Sequence, residues 1–119
     1  MKTQVYNGIK IGELDPNGPL LSSEQDALDV IGECYADDPD ILAIPVSRFV
    51  PEFWHLCTRQ LGLFTQKFVN YGRRLAFVGD LSPQIATSDA LRDYVRECTG
   101  RSPVLFARDM EDLQRQLAA

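Results

Sequence analysis

The sequence predicts one α/β domain with flanking helices on a mainly parallel sheet of four or five strands, led by an N-terminal hairpin. Three observations carry this. Residues 41–46, 75–78 and 104–107 are short, continuous apolar runs, the signature of strands covered on both faces. Segments with apolar residues at helical spacing alternate with them. A length of 119 residues suits one core, so a single domain over residues 1–119 is expected.

Each element follows in order. Asn7-Gly8 is a strong hairpin dipeptide between the alternating flanks Gln4-Val5-Tyr6 and Ile9-Lys10-Ile11. Asp15-Pro16-Asn17-Gly18-Pro19 is a loop, because its two prolines and Asn-Gly cannot continue a strand. Ser22 and Gln25 have the spacing of a capping box, with Ala27, Leu28, Ile31, Cys34 and Tyr35 as the helical stripe behind it. Asp37-Asp38-Pro39-Asp40 ends that helix. The first apolar run follows, with Pro45 at the end of its paired segment. Phe53, Cys57, Leu61, Phe64 and Phe68 then recur at steps of three or four, predicting one long amphipathic helix that stops at Gly72. After the second run, Ser82-Pro83 can cap and open a helical turn. A further helix over residues 88–98 turns Leu91, Tyr94, Val95 and Cys98 inward. Residues 99–103 form a loop before the last strand. Asp109 caps a final helix with Met110, Leu113 and Leu117 as its stripe. Crossovers between the parallel strands should be right-handed.

Composition narrows the function classes. Twelve basic and 17 acidic residues leave a net charge of −5. That balance argues against nucleic-acid binding, which needs a basic face. No apolar run is long enough to span a membrane, and the first residues lack a signal peptide's apolar stretch, so a cytoplasmic setting is expected. Cys34, Cys57 and Cys98 are odd in number and widely spaced, unlike a disulfide framework, and are read as small buried hydrophobes. One histidine, His55, is too little for a zinc site or a serine triad without a nucleophile elbow. No cofactor or metal and no catalytic constellation is expected. Asp26 and Asp29 read as a solvated helix face rather than a carboxylate pair.

The stretch Gln66-Lys67-Phe68-Val69-Asn70-Tyr71, followed by Gly79-Asp80, resembles the signature of a bacterial family, domain-of-unknown-function family 4180. The likeness extends to Glu24-Gln25-Asp26-Ala27-Leu28, to Ile44-Pro45-Val46 and to residues 88–97, covering roughly Tyr6 to Phe106. The resemblance implies no activity. Arg59 and Leu63 stand where that family tends to have a glycine and a glutamate. The element order is also similar to STAS domains, the fold of anti-sigma-factor antagonists. That likeness implies a phosphorylatable residue at a helix start. Here the matching stretch is Leu56-Cys57-Thr58, which makes Thr58 a possible switch, with Cys57 in place of the usual acid.

Two surfaces are candidates. Ligands of open α/β sheets bind outside the carboxyl ends of the strands. Those ends carry Ser47-Arg48, Gly79-Asp80-Leu81-Ser82 and Arg108-Asp109, so Arg48, Asp80, Ser82 and Arg108 are ligand candidates, with the arginines as anion anchors. The plainer reading makes Ser82 and Asp109 helix caps. Phe49 and Trp54 fall outside the helical stripe, and with His55 and Arg59 they form a candidate partner or homodimer interface. Lys67, Asn70, Arg73 and Arg74 make a basic cluster suited to an acidic partner or to a helix C-terminus. The leading expectation is a non-catalytic regulatory or partner-binding module. The alternative is a small-ligand binder or small enzyme using the strand-end crevice.

Overall fold

The computed structural model describes residues 1–98 and 101–118. Asn7 and Gly8 hold φ of 52° and 78°. A two-residue type I′ hairpin needs that pair of positive angles, and it joins β1 (Lys2–Tyr6) antiparallel to β2 (Ile9–Glu13). From there the pairings are parallel: β2 with β3 (Ile41–Pro45), β3 with β4 (Arg74–Val78), and β4 with β5 (Val104–Ala107). The five strands lie side by side in chain order.

A sheet that always steps the same way, with crossovers of one hand, deposits each connecting helix on the same face. α1 (Glu24–Glu33), α2 (Gln60–Asn70) and α4 (Asp89–Glu97) accordingly share one core with Leu42, Ile44, Leu75, Phe77 and Val104. The short α3 (Ser82–Ala86) adds Ile85 to that side. α5 (Met110–Ala118) follows the last strand and crosses to the opposite face. There Leu113 and Leu117 pack with Ile41, Ala43, Ala76, Leu105 and Ala107. Burial on both faces is why the central strands read as unbroken apolar runs.

Sequence and structure part in four places. The capping box of α1 sits one residue later than expected. Ser23, not Ser22, is the N-cap and Asp26, not Gln25, closes the box. Ser23 Oγ accepts from the Asp26 amide at 3.1 Å. The Asp26 carboxylate accepts from the amides of Ser22 (2.8 Å) and Ser23 (3.1 Å), a charged acceptor for two donors that a Gln25 amide would serve less well. Tyr35, expected inward, is exposed, because α1 ends at Glu33 and the chain turns away; its ring lies under the Arg73 guanidinium, 5.6 Å from the centroid. Ser82 does not cap α3; its amide instead donates to Asp80 Oδ1.

The fourth difference is the largest. The long helix through Phe53 and Cys57 does not form. Three 3-10 turns, Val46–Arg48, Pro51–Trp54 and Leu56–Thr58, precede α2, and Arg59 breaks the path with a left-handed φ of 64°. The cause is aromatic packing. Phe49, Phe53 and Trp54 all turn inward onto Phe64 and Phe77, with ring centroids between 4.3 and 6.0 Å apart. Adjacent residues 53 and 54 on a straight helix would diverge by about 100°. Tight turns let both enter the core, and Cys57, expected to be buried, is left exposed. Thr58 Oγ1 ties the turns by donating to the carbonyls of His55 (2.8 Å) and Glu52 (3.2 Å). The loop expected over residues 99–103 lies partly outside the described residues.

Gly79 has φ 145° and a Cβ there would drive into Val46 Cγ2, whereas a Cβ on Gly32 in α1 meets open space. Urea titration should show Gly79→Ala losing about 2 kcal/mol or more and Gly32→Ala gaining about 0.5–1 kcal/mol; equal effects would contradict the geometry. For Asp26, burial pushes the pKa up, but the hydrogen bonds from the Ser23 and Ser22 amides and the Ser23 hydroxyl outweigh it, leaving it below the ordinary 3.8. Asp26→Ala should cost about 1 kcal/mol at neutral pH. Because the folded pKa is the depressed one, that stabilisation is present above 3.8 and is lost as pH falls through the folded value, so the gap to the parent should close in acid.

Candidate functional site

The geometry of the sheet's carboxyl end follows from the helix distribution. The chain leaving β4 turns to the three-helix face through Leu81 and Ile85. The chain leaving neighbouring β5 turns to the α5 face. Where adjacent strands send their connections to opposite faces, the sheet's carboxyl edge opens into a crevice. Here it has a volume of about 170 Å³, and its lining includes Gly79, Asp80, Ser82, Phe106, Arg108 and Asp112.

Three of the four ligand candidates therefore meet in one crevice. Asp80 is exposed, and the Ser82 hydroxyl and amide hold its carboxyl below the ordinary carboxylate value. A carboxylate so held is ionised at neutral pH. Arg108 donates its amide to Asp112 Oδ2 at 2.9 Å. Asp109 Oδ1 accepts from the Asp112 amide at 2.7 Å, so Asp109 caps α5 as the sequence implied. The Arg108 guanidinium is exposed and has no partner among the described residues. Asp112 and Phe106 were not singled out from sequence. Asp112 is four residues from Arg108, a spacing that carries meaning only once the strand end is located.

Arg48, the fourth candidate, is elsewhere and is not free to bind. It is buried at 7% exposure, inside the loop that precedes α1. Its Nε and Nη2 donate to Pro19 O at 3.2 and 3.1 Å, and Nη1 donates to Asp15 O at 2.6 Å. Gly18 lies so close that a Cβ would stand 3.0 Å from the guanidinium carbon. The side chain clamps a loop whose carbonyls have no strand or helix to bond to.

The expected partner interface also changes. Phe49 and Trp54 are 4% and 3% exposed, inside the aromatic core, so they form no exposed interface. His55 and Arg59 remain outside. Arg59 edges a separate apolar hollow of about 350 Å³, lined also by Leu56, Leu61, Gly62, Leu63 and Tyr94. Leu63 is 45% exposed there. The Arg59 side chain makes no ion pair among the described residues. Thr58 is exposed, with its hydroxyl engaged as described. The basic cluster is locally satisfied: Lys67 pairs with Glu24 at 3.3 Å, Arg73 with Asp38 at 2.7 Å, and Arg74 donates to Ser102 O at 3.1 Å. Among the described residues no group of three His, Cys, Asp or Glu side chains is placed to hold a metal, and no helix is long and apolar enough to cross a membrane.

Replacing Arg48 by Met, which keeps the length of the side chain, should leave the Asp15 and Pro19 carbonyls without donors and cost about 2 kcal/mol in urea unfolding. Arg48→Lys should recover only part of this, since one ammonium cannot reproduce the fork. An unchanged midpoint for Arg48→Met would remove the clamp from the account.

The model of the family described as Domain of unknown function (DUF4180) matches residues 6–117. No curated protein and no solved structure matches the chain.

Proposed function

The chain belongs to the DUF4180 family, and with that as the premise we propose that it is a binding domain for a small polar ligand held in the crevice between the carboxyl ends of β4 and β5. The observation that carries this reading is the meeting of the unpartnered Arg108 guanidinium with the ionised Asp80 and the Ser82 hydroxyl in one crevice. Arg108 suits a carboxylate or phosphate oxygen. Asp80 suits an ammonium or hydroxyl donor on the same molecule. A volume of about 170 Å³ takes a molecule of amino-acid or hydroxy-acid size, or the head of a larger one. The proposal places the protein in a bacterial cytoplasm, where free cysteines such as Cys34, Cys57 and Cys98 persist.

A second reading, a regulatory module that docks a protein partner or a second copy, is favoured by a different observation. The hollow beside Arg59 is almost wholly apolar and exposes Leu63. It suits an apolar side chain flanked by an acid that pairs with Arg59. Phe49 and Trp54 have no part in it.

Thermal unfolding across a panel of amino acids, hydroxy acids and phosphorylated metabolites, with native mass recorded alongside, separates the two. The expected result is a raised midpoint from one anionic class, equivalent to about 2.7 kcal/mol at a hundredfold excess over Kd. Arg108→Gln should weaken that ligand about tenfold or more. A flat panel, together with a native mass that Leu63→Glu lowers, would displace the ligand reading in favour of docking.

A further inference from the structure

A second, larger cleft lies at the C-terminal end of α3, where Gln84, Thr87 and Ser88 line it. It has a volume of about 410 Å³ and is walled by the turns after β3 and by the α3–α4 junction. Its chemistry differs from that of the β4–β5 crevice, because among the described residues no carboxylate, lysine or arginine lines it. Its polar groups include the Gln84 amide, the hydroxyls of Thr87 and Ser88, the His55 imidazole, the Cys57 thiol and the edge of Trp54. Two of these have one hydrogen-bonding role taken. Thr87 Oγ1 donates to Gln84 O at 3.1 Å and so can only accept from a ligand. Ser88 Oγ accepts the Leu91 amide at 3.1 Å as the N-cap of α4, which leaves its proton to donate.

Gln84 is the exceptional member. Among the described residues its side-chain amide has no hydrogen-bond partner, and its Oε1 is buried. Leaving a buried carbonyl oxygen unpaired is costly, and native proteins rarely tolerate it without a compensating partner. Gln84 lines the cleft, and the terminal amide of glutamine turns about a broad two-fold torsion, so its donor and acceptor can exchange places. A side-chain amide presents a donor beside an acceptor, and its complement is another donor beside an acceptor.

We propose that this cleft binds a neutral molecule through an amide or lactam edge, with Gln84 pairing to that edge, Ser88 and Thr87 supplying the flanking donor and acceptor, and the exposed His55 ring covering its plane. The class follows from the lining. A charged ligand would find no counter-charge here, and a purely apolar one would leave Gln84 as it is. The site is independent of the β4–β5 crevice and of its ligand.

Cys57 supplies the readout. It is exposed in the cleft wall, whereas Cys34 and Cys98 are buried and burial pushes both of their thiols up, so alkylation of the folded chain falls on Cys57. Nicotinamide, a neutral planar carboxamide, is the probe. It should slow Cys57 alkylation in a saturable way. Gln84→Met, which replaces the unpaired amide with an apolar chain of similar length, should weaken that protection about tenfold or more, the loss of one paired amide contact. Ala90→Leu, an exposed change at the cleft mouth, should block protection without touching Gln84, and Arg108→Gln should leave it intact. Absence of saturable protection in the parent chain would overturn the proposal and leave water as Gln84's partner. Protection that survives both cleft variants would overturn it equally.

Discussion

β2 to β5 add to the sheet in one direction only, and much else follows from that constraint. Crossovers of one hand then stack α1, α2 and α4 on a single face, where three helices meet the bulky row Leu42, Ile44, Leu75 and Phe77. Among the described residues the opposite face has one helix, α5, packed on Ile11, Ile41 and Leu105 together with the small residues Ala43, Ala76 and Ala107. The two cores thus differ in how many helices cover them, a consequence of strand order.

The same constraint locates the openings of the molecule. A chain that feeds one face from β4 and the other from β5 must leave a gap between those strand ends, and Asp80, Ser82 and Arg108 stand around it. The connection from β3 to α2 has to stay on the crowded face. It does so by folding into three tight turns around Phe49, Phe53 and Trp54. Drawing those rings inward leaves His55, Cys57 and Arg59 outside, on the walls of the cleft and the apolar hollow. The exposed chemistry of this segment is the complement of its buried aromatics.

Charge is distributed by the same logic. Arg48 and Arg108 both follow strand ends, yet one is enclosed by a loop whose Asp15 and Pro19 carbonyls it pairs and the other faces solvent. A loop rich in proline and glycine cannot satisfy its own carbonyls, and a guanidinium with five donors meets that need. Arg108 has no such loop above it, and the α5 end beside it is already capped by Asp109.

The strands, the hairpin, most of the helices and the α/β class are legible in local chemistry alone. Asn7-Gly8 sets two positive φ angles, and unbroken runs such as residues 75–78 demand burial on both faces. The same runs place Asp80, Ser82 and Arg108 at strand ends. Which of these residues meet, that Arg48 serves the fold, that Phe49 and Trp54 are core, and that Gln84 lacks a partner among the described residues all emerge from packing between distant segments. The physical reason is range. A helical stripe through Phe53 and Cys57 is a local preference worth tenths of a kilocalorie per residue, on the order of intrinsic helix propensity. Burying three aromatic rings against Phe64 and Phe77 is worth several times more, at about 1.5–3 kcal/mol per large side chain. Where distant packing outweighs local periodicity, only the folded chain can reveal which residues turn outward.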